Sequence, residues 1–146
     1  MKFIGDFHIH SKYSRAVSPS MDLDNLDRWT VVKGIKVLGT GDFTHPKWFE
    51  SIKEKLEPAE QGLFKLRKVD SPTRFILTSE ISCIYKKNNR VRKVHIIVFA
   101  PSINAVEKSG PNKSKYAHND DYSFQTTAFC FGHDTFSIDG LCFCIN

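Results

Sequence analysis

Between residues 3 and 101, short apolar runs alternate with segments whose apolar residues recur at helical spacing. That alternation restricts the chain to the α/β class, with strands carried past one another by helices. The first run is Phe3-Ile4-Gly5-Asp6-Phe7. A helix follows, with Ser18 or Ser20 as its cap, Pro19 in its first turn, an apolar stripe of Leu23, Leu26, Trp29 and Val32, and Gly34 as its stop. Ile35 to Thr40 is the second strand, and Gly41 to His45 a tight loop. Pro46 opens a second helix with Trp48, Ile52 and Leu56 on one face, ended by Glu57-Pro58. Residues 58–73 read as loop. The third strand, Arg74 to Ser79, runs on through Tyr85; Lys86 to Asn89 is a turn; Val91 to Phe99 is the fourth strand, stopped by Pro101. The order is β-α-β-α-β-β.

In α/β folds the chemistry gathers at the C-terminal ends of strands. His8 and His10 end the first strand, and their i, i+2 spacing puts both imidazoles on one face. Asp42 and His45 follow the second strand, Glu80 follows the apolar part of the third, and His95 lies within the fourth. Taken singly, each has an ordinary explanation: a solvent-facing strand end, a helix start, a loop cap, a lysine partner, a core histidine. Taken together, they are nitrogen and oxygen donors from four separate segments, a set suited to Zn²⁺, Mn²⁺ or Fe²⁺. A carboxylate such as Glu80 can bridge two ions, and paired ions support phosphoester hydrolysis.

The charge is uneven. The 146-residue chain has a formal net charge of +5. Residues 1–108 hold 19 Lys and Arg against 12 Asp and Glu, and residues 109–146 hold 2 against 4. The basic first part suits an anionic partner such as nucleic acid or a phosphoester, although a lysine-rich soluble surface would look the same. No apolar stretch is long enough to span a membrane, and the N-terminus lacks the pattern of a secretory signal, so a cytoplasmic protein is the expectation. Cys83 reads as a strand residue in a reducing compartment.

Four motifs in order carry a family resemblance. They are Phe7-His8-Ile9-His10-Ser11, Gly39-Thr40-Gly41-Asp42-Phe43-Thr44-His45-Pro46, Thr78-Ser79-Glu80-Ile81-Ser82, and Val94-His95-Ile96 through Pro101. This set resembles the polymerase-and-histidinol-phosphatase (PHP) domain family. Within it, Lys12-Tyr13-Ser14-Arg15-Ala16 and His45-Pro46-Lys47-Trp48-Phe49 are similar to the archaeal endonuclease Q group. The resemblance implies a distorted (β/α)7 barrel, of which about residues 1–108 would be the first half. It implies two or three divalent ions (Zn, Mn or Mg), and nicking of DNA 5′ of deaminated bases (uracil, hypoxanthine, xanthine) or abasic sites. Carried over, His8, His10 and Glu80 share one ion, Glu80 and His95 hold a second, and His45 belongs to a third, with Glu80 and Asp42 in catalytic positions.

The chain departs from the family after residue 108. It has no Asp-x-His to complete the cluster; His118 and His133 stand in other contexts. Residues 109–146 read as an irregular tail, frameshifted or truncated. Cys130, His133, Cys142 and Cys144 do not have the spacing of a structural zinc site. Half a barrel would leave an open sheet edge, so self-association and impaired activity are expected. The rival functions are a PHP phosphatase acting on a small phosphomonoester, and an inactive fragment that binds metal or nucleic acid.

Overall fold

The computed structural model describes residues 2–109 and three further strands, 129–130, 135–138 and 141–145; for those strands and for Cys83, Tyr85, Lys87 and Ser109 only the backbone is described. Three parallel strands form the frame: β1 (Ile4–Asp6), β2 (Ile35–Gly39) and β5 (Arg74–Lys87), with Ile4 opposite Ile35 and Val37 opposite Arg74. Helices α1 (Leu23–Lys33) and α2 (Pro46–Lys55) lie in the connections between them. Parallel strands require such crossovers, because a tight turn can only reverse the chain. Strand β6 (Arg90–Ala100) returns antiparallel to β5 over its whole length, and α3 (Ile103–Ser109) follows.

The cap of α1 is Asp22, whose carboxylate accepts from Asn25 N at 3.0 Å, rather than Ser18 or Ser20. Gly34 ends the helix as expected: at φ 71° its N–H reaches the carbonyls of Thr30 and Val31. The expected apolar stripe is half right. Leu23, Leu26 and Thr30 are buried, but Trp29 and Val32 are 59% and 73% exposed. A spacing of three falls short of the helical repeat of 3.6, so each step rotates the stripe, and by the third step it faces away from Leu23. Asp27 and Thr30, not apolar residues, complete the inner face. Asp27 accepts from Ser71 Oγ at 2.6 Å, and the Thr30 hydroxyl meets that of Thr73 at 2.7 Å, so these buried groups are paired.

Helix α2 buries Trp48, Phe49 and Ile52 against Leu38, Phe75 and Leu77 of the sheet. Leu56 is buried but already extended, and opens β3 (Leu56–Pro58), which pairs antiparallel with β4 (Phe64–Leu66). This hairpin lies inside the stretch expected to be loop. Phe64 and Leu66 face the core on alternate positions with Lys65 between, a three-residue alternation too short to read as a strand alone.

The strand order is β1-β2-β5-β6, continued by strands 141–145, 135–138 and 129–130, an open path among the described strands rather than a closed barrel. In the region expected to be irregular, β9 (Leu141–Ile145) pairs antiparallel with β6, Ile96 opposite Ile145, and β8 (Thr135–Ile138) and β7 (Phe129–Cys130) extend the order. The edge of β6 is thereby covered at residues 96–99, while β1 ends the order at the other side, with Phe3 and Ile4 exposed. The side chains of Cys130, Cys142 and Cys144, and the whole of His118 and His133, fall outside the described residues. No helix among the described residues is long and apolar enough to cross a membrane.

Trp48 pins the second strand to the second helix. Its indole N–H donates to the carbonyls of Thr40 (3.1 Å) and Gly41 (2.9 Å), and the ring is 1% exposed. Trp48→Phe keeps an aromatic ring but leaves those carbonyls without this donor. It is expected to lower the unfolding free energy by about 2 kcal/mol, read as a shift in the urea midpoint at unchanged m-value.

Candidate metal centre

The loop after β1 and the loop after β2 meet through backbone. Gly41 has φ 63° and Asp42 φ 44°. At Gly41 a Cβ would collide with the Ile9 carbonyl, so only glycine lets the second loop approach the first. Asp42, an L-residue that tolerates the left-handed region, is thereby turned towards Ser11. Its Oδ2 accepts three hydrogen bonds: from Ser11 N (2.6 Å), Ser11 Oγ (2.8 Å) and Ser14 Oγ (2.6 Å). Its Oδ1 lies 3.2 Å from His10 Nδ1. Burial pushes the Asp42 carboxyl up, but the bonds from Ser14, from Ser11 and from His10 outweigh it and hold the group below its ordinary value. The spacing of His8 and His10 gave no sign of Ser11 and Ser14, which are polar residues in a polar loop.

An ionised Asp42 can only accept, so the His10 proton sits on Nδ1 and Nε2 is left with its lone pair. Nε2 lies 3.1 Å from Glu80 Oε2. His8 Nε2 lies 3.2 Å from the same oxygen. His95 Nδ1 contacts the other oxygen, Oε1. Glu80 reaches this position because β5 runs on past the parallel sheet, and the β5–β6 register sets His95 diagonally across from it. Burial raises the Glu80 carboxyl, and the contacts with His95 and His8 more than reverse this, so it too is ionised at neutral pH.

The structure thus brings together His8, His10 and Glu80, with one ligand atom from each lying within 4.8 Å of the others, a group that could hold a metal ion. His95 joins through Glu80 and Asp42 through His10. His45 does not enter this group. It caps α2 without a side-chain bond, stacks on Tyr13 with ring centroids 4.6 Å apart, and its buried Nδ1 has no hydrogen-bond partner among the described residues. The donor set fits a divalent cation on electrostatic grounds. An imidazole lone pair facing an ionised carboxylate oxygen is repulsive unless a proton or a cation lies between them.

No protein-family model matches the chain. It is 34% identical over 116 residues to an uncharacterized protein of Methanocaldococcus jannaschii, covering 80% of this chain and 12% of that protein. Among solved structures it is similar to the lesion-specific endonuclease PfuEndoQ of Pyrococcus furiosus, at 32% identity and a TM-score of 0.56, over 71% of this chain and 23% of that one. It is also similar to endonuclease Q in complex with a 27-mer duplex substrate carrying an abasic lesion at the active site, at 32% identity and a TM-score of 0.59, over 76% of this chain and 25% of that one. The chain therefore spans a quarter or less of the length of each protein it matches, and the likeness fits part of an endonuclease Q fold.

Calorimetric titration with Zn²⁺ or Mn²⁺ is expected to show binding that Glu80→Gln weakens at least about 100-fold and Asp42→Asn, which keeps the shape but loses the charge and one of the two acceptor oxygens, weakens about 10- to 100-fold. Asp42 also makes a pH-dependent contribution to folding. With its pKa lowered from the ordinary 3.8, that contribution is complete above this value and fades as pH falls through the folded-state value. The gap in melting temperature between the metal-free native protein and Asp42→Asn is therefore expected to narrow between pH 7 and pH 3.

Proposed function

We propose that this chain is a metal-dependent phosphoesterase domain of the PHP type and that its substrate is DNA, nicked 5′ of a deaminated base (uracil, hypoxanthine or xanthine) or an abasic site. The observation that carries this reading is the division of Glu80 between its two oxygens: His8 and His10 face Oε2, and His95 faces Oε1. A carboxylate so divided could hold divalent cations together with His8 and His10 on one side and His95 on the other. His45, with its unpartnered Nδ1, is the further nitrogen available to the site. Zinc, manganese or magnesium so held would supply positive charge to a phosphodiester and acidify the attacking water.

The remaining roles belong to the chain's own groups. Asp42 orients His10 and fixes its tautomer, so it acts through another residue rather than on the substrate. Ser11 and Ser14 keep Asp42 ionised and immobile. Similarity to an endonuclease Q bound to a duplex with an abasic lesion supports DNA as the partner. A domain reading of residues 1–108 as the PHP portion and 109–146 as a separate segment is part of the same proposal.

A labelled duplex containing one uracil or one abasic site, incubated with the protein and Mn²⁺, Zn²⁺ or Mg²⁺, is expected to be nicked 5′ of the lesion. Glu80→Gln should lower the rate by about 1,000-fold or more, as loss of a bridging ligand does. Metal binding with no nicking under any of the three ions would reduce the chain to a binding fragment.

A further inference from the structure

Beyond Glu80 and His95, β5 and β6 continue as a two-stranded ribbon. β9 pairs with β6 only at residues 96–99, and β2 pairs with β5 only at residues 74–76, so residues 81–95 have no other described strand beside them. The ribbon closes through Asn88 and Asn89, both at positive φ (53° and 57°), in a tight two-residue turn. From residue 81 to residue 106 the sequence contains no Asp or Glu, yet it holds five cations, Lys86, Lys87, Arg90, Arg92 and Lys93.

Elsewhere five cations are matched to acids, Lys53 to Glu50, Lys55 to Asp24, Lys65 and Arg67 to Glu57, and Arg74 to Glu60, and the others are interspersed with acids along the chain. Lys86, Arg90, Arg92 and Lys93 are exposed and have no acidic partner among the described residues. A merely solubilising surface would intersperse both signs, as the rest of this one does.

The register decides which cations matter. Ser82 lies opposite His95, Ile84 opposite Lys93, and Lys86 opposite Val91. Alternation along each strand therefore puts Lys93 and Lys86 on the same face as Glu80 and His95, with Arg90 and Arg92 on the other. Lys93 stands about 6.8 Å along β6 from His95, two residues at the antiparallel rise. Ile84 and Val91, 64% and 65% exposed, lie beside these lysines on that face. A two-stranded ribbon has the width to enter a DNA groove.

We propose that this ribbon is the track for the DNA backbone leading out of the metal centre, with Lys93 and Lys86 holding phosphates of the strand that the centre cuts. This rests on the phosphoesterase reading for the identity of the strand but not for the binding itself. Anisotropy of a labelled abasic duplex in EDTA reads binding without cleavage. Lys86→Ala/Lys93→Ala should weaken binding roughly tenfold at low salt and reduce the slope of log K against log salt by about 2. Lys86→Arg/Lys93→Arg should restore both, and metal titration of all three proteins should coincide. Unchanged affinity and slope in the alanine pair, or no DNA binding by the native chain, would overturn the proposal. If the native chain nicks while the alanine pair binds normally, the ribbon proposal fails and the phosphoesterase reading stands. If the alanine pair loses binding and the native chain never nicks, the reverse holds.

Discussion

Glu80 is an anion ringed by imidazoles from three directions, and each of those contacts needs a proton or a cation between the two partners. A neutral ring can supply that proton only from the nitrogen that carries it; His10 holds its proton on Nδ1 towards Asp42, so a divalent cation is what can join its Nε2 to Glu80. The carboxylate is held in its ionised form by the same contacts. This electrostatic requirement is what the surrounding structure serves. It explains why a glutamate stands in a strand extension where an apolar residue would otherwise pack, and why His10 needs a second carboxylate behind it to fix its proton.

The means of assembly is backbone geometry. Parallel strands β1 and β2 end side by side, so the loops that follow them start at the same rim. Gly41 permits contact between those loops that any side chain would block, and the left-handed turn at Asp42 aims its carboxylate at the first loop. Trp48 ties Thr40 and Gly41 to the underlying helix, so the turn cannot relax without losing buried hydrogen bonds. The stability of the core and the precision of the site are thus joined at three consecutive residues.

Much of this was legible beforehand where a residue type has few alternatives. Two histidines at i, i+2 after an apolar run were expected to end the strand on one face; β1 stops at Asp6 and they lie in the loop beyond it, yet both reach Glu80 Oε2, and Gly34 could be read as a helix stop because few other residues adopt φ 71°. Legibility failed where several residues could do the same work. Ser18, Ser20 and Asp22 were all able to cap α1, and the choice fell to the one whose carboxylate reaches Asn25. Trp29 and Val32 are apolar at plausible spacing, yet Asp27 and Thr30 took the inner face because Ser71 and Thr73, distant in sequence, gave them partners. The β3–β4 hairpin escaped notice because three-residue strands carry almost no periodicity.

The sequence alone determined the α/β alternation, the rim on which the donors collect, the pairing of His8 with His10, and the acid-free basic segment between residues 81 and 106. These are properties of residue type and spacing, which survive any folding of the rest. Only the tertiary structure decided that Glu80 is shared by His8, His10 and His95, that Asp42 is engaged by Ser11, Ser14 and His10, and that His45 stacks on Tyr13 outside the group. It also decided which of the ribbon's cations lie on the face of Glu80. Contacts between residues 15 to 72 positions apart depend on strand register and loop approach, and those are fixed by packing across the whole sheet rather than by any local stretch of chain.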